Sequence, residues 1–393
     1  MMIKIADDVY FVGAMHWDRR LFDELIPLPE GTSYNSYLIR GKEKIALIDT
    51  VDPSKEEELI ENIEKLGVEK IDYVISNHAE QDHSGALSRI IESYPMARIV
   101  TNEKCKQFLM DLLLIDEEKF ITVNDGDELK LGGKTLKFIV APWVHWPETM
   151  LTYLKEDGIL FSCDLFGSHT ATSDIFSTEN VYNSAKRYYA EIMMPFRSKI
   201  KQHIEKIENL EIKMIAPSHG PIYKNPEFIL NAYRDWISDN VKNEVVIAYV
   251  SMHGSVEKMV KYLIEVLIEK GINVKPFNLT VSDIGELAMA LVDSATFVLA
   301  TPTVLSGIHP LAFYALYLAN ALRPKTKFVS IIGSYGWGSR IVEQAKEMLT
   351  AMKAEVIEPV MVKGQAKDDD YTAIKKLAEK IADRHKEIGI LTL

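Results

Sequence analysis

The sequence predicts a two-domain α/β protein, with layered sheets flanked by helices over residues 1–243 and a doubly wound parallel sheet over residues 244–393. Three observations predict it. At 393 residues the chain exceeds the size at which one hydrophobic core keeps growing, and its 47% hydrophobic content can fill two. In the first half, short strand-like runs alternate with turns around a few helical stretches. From Glu244 onward the rhythm becomes strand, loop, helix, repeated about five times, the chain order of an open parallel sheet whose ligands bind at the carboxyl ends of its strands.

In order, strands are expected over residues 9–13, 37–40, 44–49, 71–76 and 134–140, and helices over 55–66 and 103–114. The polar run Asp239-Asn240-Val241-Lys242-Asn243 follows a helical pattern and precedes the apolar run 244–250, which sets the domain boundary at 243/244 without a long flexible linker. There is no internal repeat or low-complexity segment. The net charge of -12 argues against a nucleic-acid groove, which needs clustered Lys and Arg, and Lys375-Lys376 reads as a solvated helix face. Asp7 and Asp8 stand where a secretory leader would be apolar, and no segment is long and apolar enough to span a bilayer, so a cytoplasmic protein is expected. The two cysteines, Cys105 and Cys163, make no disulfide framework, zinc ribbon, rubredoxin or iron-sulfur module. Any metal must therefore use nitrogen and oxygen ligands. Alternation along its strand should turn Cys163 to the face opposite Asp164, as a buried structural thiol.

Candidate metal ligands concentrate in His78-Ala79-Glu80-Gln81-Asp82-His83. The preceding apolar run is a buried strand and a helical pattern follows, so the cluster sits at a strand's exit. In extended backbone His78 and Glu80 point to one side, while Asp82 and His83 in the turn can reach a second position. His145, Asp164 and His219 each follow a further strand-like run. Together these give four His and three carboxylates, enough for two metals with open positions if Asp164 bridges. His16, His203, His309 and His385 are read as ordinary core or surface residues.

In the second half, Ser251-Met252-His253-Gly254-Ser255-Val256 leads from a strand into a helix. Hydroxyls of Ser251 and Ser255, backbone N–H groups around Gly254 and the helix N-terminus make a phosphate cradle without Lys or Arg. Alone, this is also an ordinary strand-to-helix turn. The segments containing Pro302, Thr303, Val304 and Leu305, and Ser334, Tyr335, Gly336, Trp337 and Gly338, follow later strands and should meet it at one sheet edge. Tyr335 and Trp337 would in isolation be core or interface aromatics. Their glycine-rich strand-exit loop favours a flavin.

The order His-x-Glu-x-Asp-His, then His, Asp and His, resembles the metallo-β-lactamase fold and specifically its flavodiiron branch, the A-type flavoproteins or rubredoxin:oxygen oxidoreductases. Hydrolases of that superfamily usually carry His at the position of Glu80. Trp17-Asp18-Arg19-Arg20-Leu21-Phe22, Gly31-Thr32-Ser33-Tyr34-Asn35, Tyr188-Tyr189-Ala190 and Met194-Pro195-Phe196 resemble the same branch, as do the three flavin segments, so the match spans essentially the whole chain. The resemblance implies an N-terminal metallo-β-lactamase-like αββα sandwich and a C-terminal flavodoxin-like domain. It implies FMN and two iron ions, with His78, Glu80 and His145 on one iron, Asp82, His83 and His219 on the other, and Asp164 between. The chain departs from the family's usual text at Val256, where Thr is common, at His253, at Ser339-Arg340 and at Glu191. Tyr189 and His169 are candidates for packing beside the ligands.

The implied activity is reduction of dioxygen to water with electrons from a separate partner, rubredoxin by family habit, passed through FMN to the diiron centre. Reduction of nitric oxide to nitrous oxide is the alternative on the same centre. The implied assembly is a head-to-tail homodimer or dimer of dimers. Two readings from other classes compete: a zinc-dependent metallo-β-lactamase-type hydrolase, against which Glu80 argues, and a flavin electron carrier whose metal domain is only structural. Glu80 makes its position harder and more anionic, which suits iron, although zinc also binds such donors tightly.

Overall fold

The computed structural model describes residues 2–177 and 179–392, with only the backbone of Glu179. It divides into two compact units. The first runs to Tyr189 and resumes over Phe196–Ile237; the second takes Ala190–Pro195 and the chain from Ser238 onward.

Among the described residues, the first unit contains a seven-stranded and a five-stranded sheet. The seven strands are β1 (Ile3–Ala6), β2 (Val9–Phe11), β3 (Tyr37–Arg40), β4 (Ile45–Ile48), β5 (Tyr73–Ile75), β6 (Arg98–Thr101) and β7 (Phe120–Thr122), lying side by side in chain order. Pairing is antiparallel as far as β4 and parallel beyond it. The second sheet holds β8 (Glu128–Lys130), β9 (Thr135–Val140), β10 (Met150–Leu154), β11 (Ile159–Cys163) and β12 (Met214–Pro217), antiparallel except for the β11–β12 pair. The period of two in the strands decides what each face covers. Ala46, Ile48, Ile75 and Val100 share a core with Phe138, Met150 and Phe161 of the second sheet. Their neighbours Leu47, Val74 and Ile99 pack instead against α1 (Glu56–Lys65), α3 (Leu87–Ser93) and α4 (Glu103–Leu113); a single turn, α2 (Gln81–Ser84), precedes α3. β10 and β11 are buried along their whole length, so both faces of the second sheet are covered. α5 (Tyr182–Tyr188), α6 (Arg197–Ile207) and α7 (Pro226–Ile237) complete the unit.

The second unit is doubly wound. β13 (Lys242–Tyr249), β14 (Asn273–Asn278), β15 (Ser294–Val304), β16 (Phe328–Tyr335) and β17 (Val360–Lys363) pair in parallel in the order β14-β13-β15-β16-β17. One face, with Val245, Ile247 and Val298, carries α8 (Ser255–Glu269) and α12 (Asp368–Glu387); the other, with Val246, Phe297 and Ile331, carries α9 (Ile284–Leu291), α10 (Pro310–Leu322) and α11 (Ile341–Met348). This is the flavodoxin-like strand order, whose switch point lies between the first and third strands. β13 begins two residues before the apolar run because Lys242 pairs with Ser294 and its ammonium lies 2.9 Å from Asp293 Oδ2.

His385 of α12 is fully buried between Asn243 Oδ1, 2.8 Å from Nδ1, and Thr296 Oγ1, 2.7 Å from Nε2. A neutral ring donates to the amide oxygen and accepts the hydroxyl proton, so burial pushes its pKa down to about 4. An unfolded chain binds this proton below about 6.5, whereas the folded unit binds it only below about 4. The contribution is therefore complete above the unfolded value and lost as pH falls between the two, by about 3 kcal/mol. Urea unfolding at stepped pH should show that loss, and His385→Gln should flatten it.

Candidate functional site

The seven donors come from four segments of the first unit, and those of His78 to His83, His145 and His219 are held by hydrogen bonds to residues distant in the chain. Ahead of His78, the buried Asp49 carboxylate accepts Asn77 N–H at 2.7 Å and the Asn77 amide at 2.8 Å. Thr50 donates from both its amide and its hydroxyl to His83 O, each at 2.7 Å. Asp82 and His83 lie on the helical turn α2 rather than in an open loop, so they project from the same turn that starts at Glu80. On the loop leading to His145, Pro142 O accepts His203 Nε2–H at 2.9 Å.

The His219 turn is clamped by the segment around Ser33. Ser33 O accepts His219 Nδ1–H at 2.7 Å, Ser33 Oγ accepts Gly220 N–H at 2.7 Å, and Asn35 Nδ2 donates to Pro217 O and Gly220 O. Gly220 has φ +75°, and a Cβ there would lie 2.0 Å from Ser168 Oγ, so only glycine fits. The Gly-Thr-Ser-Tyr-Asn motif thus acts as a bracket for a ligand 186 residues away.

The arrangement divides at Asp164. Its Oδ2 lies 3.5 Å from both His78 Nε2 and His145 Nε2, and Glu80 Oε2 lies 3.1 Å from each of the same two nitrogens. Its Oδ1 lies 2.9 Å from His83 Nε2 and 3.5 Å from His219 Nε2, while Asp82 Oδ2 is 3.0 Å from His219 Nε2. One carboxylate therefore faces two donor sets, one oxygen to each. Within the first set the ligand atoms lie within 4.8 Å of one another, as do those of Asp82, His83 and His219. Both Asp82 oxygens and both His83 nitrogens are buried without a hydrogen-bond partner despite those short separations. Atoms close together but not aimed at each other share a point in space, as ligands around a cation do.

Charge tells the same story. Burial alone would push the imidazoles down, but the carboxylates outweigh it. Glu148 and Glu80 hold His78 up at about 10, Asp164 and Glu80 hold His145 at about 10, and Asp164 and Asp82 hold His83 at about 9. Conversely, burial favours neutral carboxyls, yet the imidazoles keep Glu80 and Asp164 far below the usual carboxylate range. The pocket demands positive charge, which protons supply when metal does not.

Several neighbours differ from the sequence expectation. Tyr188, not Tyr189, reaches the site: its hydroxyl donates to Asp164 Oδ1 at 2.8 Å, whereas Tyr189 donates to Trp236 O. His169 does pack beside the ligands, its ring 4.8 Å from that of His219 and its Nδ1 2.9 Å from Thr32 Oγ1; burial, with His219 adding to it, keeps it neutral. Cys163 has φ +51°, which breaks the strand alternation. Its thiol consequently lies on the Asp164 side, 3.9 Å from Oδ2 and grouped with His83 and Asp164, not on the opposite face. Glu148, which no motif pointed to, contacts His78; the available signal was a carboxylate three residues beyond His145 in an otherwise apolar loop.

At the carboxyl edge of the second unit, the three flavin segments do meet. Ser255 Oγ lies 3.1 Å from Ser334 Oγ, and Thr303 donates to Ser339 Oγ at 3.0 Å. Pro302, Thr303 and Val304 end β15, with Leu305 beyond them; Ser334 and Tyr335 end β16, followed by Gly336, Trp337 and Gly338. Gly254 caps α8 with φ +80° and no side-chain cap, while Ser251 Oγ accepts Glu257 N–H at 3.2 Å. The hydroxyls and the first N–H groups of α8 make a neutral anion cradle. Val256 is buried in the core and offers this edge only its backbone. Met252 and His253 are exposed, and Leu305 and Trp337 are 97% and 90% exposed, large apolar surface at the mouth of a neutral cradle.

Residues 32–220 match the ODP family beta lactamase and residues 247–377 match flavodoxin. The nitric oxide reductase of Moorella thermoacetica is 36% identical, across 97% of this chain and 99% of its own length. Rubredoxin oxygen:oxidoreductase from Desulfovibrio gigas shares the structure with a TM-score of 0.95 at 30% identity, covering 98% of this chain and 99% of that one. The flavodiiron protein from Giardia intestinalis gives 0.92 at 29%, covering 98% and 97%. The chain belongs to the flavodiiron protein family. The first matched segment lies in the first unit apart from Ala190–Pro195 and the second lies in the second unit, and the αββα and flavodoxin-like architectures expected from the sequence are those observed.

For this flavodiiron protein the raised imidazoles have a measurable consequence. At pH 7 the metal-free His78, His145 and His83 carry protons that a metal must displace. Metal uptake in weak buffer should release protons from the imidazoles, read with an indicator dye, and affinity should rise with pH until the imidazoles are neutral.

Proposed function

We propose that this flavodiiron protein reduces dioxygen to water with electrons delivered by a reduced partner through FMN to a pair of irons. The observation that carries the reading is Asp164, one buried carboxylate presenting a separate oxygen to each of two donor sets. His78, Glu80 and His145 would hold one iron and Asp82, His83 and His219 the other, with Asp164 between them, inside a metal domain of residues 1–243. Residues 244–393 would form the FMN domain, with Ser251 to Val256 at the phosphate and Pro302 to Leu305 and Ser334 to Gly338 around the ring. The orphaned Asp82 and His83 atoms support a metal there, and the three carboxylates offset much of the charge of a ferrous pair. When bound, the irons and the flavin supply the electron chemistry and the open positions for the gas.

The protein's own part is geometry, charge and exclusion of water. The rings of Phe22 and Tyr34, edge-on, and of Tyr188 and His169, tilted, pack around His219, leaving that ligand 1% exposed. The Tyr188 hydroxyl, held protonated by burial and by Asp164, donates a hydrogen bond to Asp164 Oδ1. Burial keeps His169 neutral, so the wall beside His219 adds no positive charge.

The donor is proposed to be rubredoxin, which appears in the name of the Desulfovibrio gigas protein. The assembly is proposed to be a head-to-tail homodimer or a dimer of dimers, in the cytoplasm; among the described residues no helix is long and apolar enough to cross a membrane. Nitric oxide is the second reading, favoured by the Moorella relative's name at 36% identity over nearly the full length.

Anaerobic reduction of metal-assayed protein, followed by separate exposure to each gas, tests the proposal. Iron and FMN should be present, and dioxygen should be consumed without peroxide release. Faster, sustained nitric oxide consumption would reverse the substrate order, and stoichiometric zinc with thioester or phosphodiester turnover would replace the reading by a hydrolase. Asp164→Asn should lower gas consumption by at least about 100-fold while FMN content is unchanged.

A further inference from the structure

We propose that Glu148 is a positioning residue that makes the two metal positions unequal, by anchoring His78 through a charged hydrogen bond and so lending negative charge directly to a ligand of the His78, Glu80 and His145 position. Its redox consequence rests on the diiron reading above; its contact with His78 does not.

Glu148 stands three residues after His145, so one short loop supplies both a ligand and the group that orients another. The Glu148 side chain is fully buried. Its Oε1 accepts His78 Nδ1–H at 2.7 Å and Ala79 N–H at 3.1 Å, while Oε2 is buried without a partner. Asn102 fixes the backbone beneath it, donating to Glu148 O at 2.6 Å, and the Trp146 ring stands edge-on to His78 at 5.0 Å. No Lys or Arg contact to this carboxylate occurs among the described residues. A buried carboxylate with no Lys or Arg beside it is tolerable only if its charge is taken up by its hydrogen-bond donors. Here the main acceptor of that charge is the imidazole whose other nitrogen faces Glu80 and Asp164. A carboxylate behind a ligating imidazole fixes its tautomer and raises its basicity.

Among the described residues no carboxylate is hydrogen-bonded to the far nitrogen of an imidazole at the second position; the buried Asp49 carboxylate acts on His83 only through space, its hydrogen bonds going to Asn77. His219 Nδ1–H meets a neutral carbonyl, Ser33 O, and His83 Nδ1 has no hydrogen-bond partner. Tyr188 donates to the Asp164 oxygen on that side, drawing charge away from it. Both asymmetries act in one direction. The His78 position is the more electron-rich and holds the oxidised state longer, and the His83 position is reduced first.

Glu148→Gln keeps the shape and an acceptor but removes the charge; Glu148→Ala removes both; Glu148→Asp retains the charge. In an anaerobic redox titration of the iron-loaded protein followed by electron paramagnetic resonance, the Gln variant should show the mixed-valent state over a narrower range and at lower maximum population, with Asp closer to the parent. Titration with cobalt(II) alone should show about 10–100-fold weaker binding at one position in the Ala variant and little change at the other. In metal-free protein, nitrogen NMR should find the His78 Nδ1–H signal moved by Glu148→Gln, a readout that does not depend on loading. An unchanged mixed-valent range in a fully loaded Gln variant, or equal weakening of both cobalt positions in the Ala variant, would overturn the proposal. If the parent binds cobalt at two positions yet takes up no iron and consumes neither gas, the diiron reading fails while the cobalt affinities still judge Glu148.

Discussion

A carboxylate sealed inside a protein needs positive charge within reach of each oxygen, and Asp164 is such a carboxylate, 1% exposed and facing imidazoles on both sides. Much of the first unit can be understood as the means of holding it there. The parallel pairing of β11 and β12 sets the ends of those two strands side by side, so Asp164 and His219 leave the sheet together. β5 enters the other sheet and delivers His78 from across the sandwich. Were either sheet displaced, Asp164 would keep its burial and lose its compensation, the arrangement that buried charges tolerate least. The packed core between the sheets is therefore an electrostatic requirement as well as a hydrophobic one.

The brackets around the ligands span long stretches of chain. Ser33 reaches His219, Asp49 reaches Asn77, and Thr152 donates to Asn77 Oδ1 at 2.7 Å from the opposite sheet. Each is a buried hydrogen bond whose partner has no alternative in water, so a ligand cannot drift without leaving a polar group unsatisfied. The donor set exists only once both sheets have closed. Metal binding and closure of the sandwich are thus linked, because a cation that favours the assembled donors favours the closed state that assembles them.

What could be read from the sequence was what local pattern encodes. Strand and helix positions follow from periods of two and 3.6, and they fall within a few residues of those observed, as with 55–66 against Glu56–Lys65. The His-x-Glu-x-Asp-His cluster and the order of the later ligands were visible because the donors are rare in such density. The division of Asp164 between two donor sets was only a conditional reading, since it depends on the relative placement of segments far apart in the chain. Tyr188 and Tyr189 could not be told apart by type; their position on α5 and the turn that follows decides which one faces inward. The reversal of Cys163 depends on one positive φ at the strand's end, which cysteine does not announce. Glu148 was passed over for a further reason: its partner precedes it by 70 residues, and a lone glutamate, even in an apolar loop, normally belongs to the surface.

The two units solve opposite problems. In the first, polar atoms of both signs are buried and converge, so the site is defined by charge. In the second, the three segments at the sheet edge present hydroxyls, backbone N–H groups and exposed apolar side chains, so recognition is by direction and shape. For a chain carrying a net charge of -12, long-range attraction is a poor means of capturing a phosphate. Oriented N–H dipoles act only at contact, where the repulsion of distant carboxylates is already screened. Val256 fits this division: with its side chain in the core it packs α8 on the sheet, and it offers this edge only its backbone beside the flanking serines. A cradle built this way tolerates the loss of one hydroxyl better than a site that relied on a single cation, since each remaining donor carries only part of the charge.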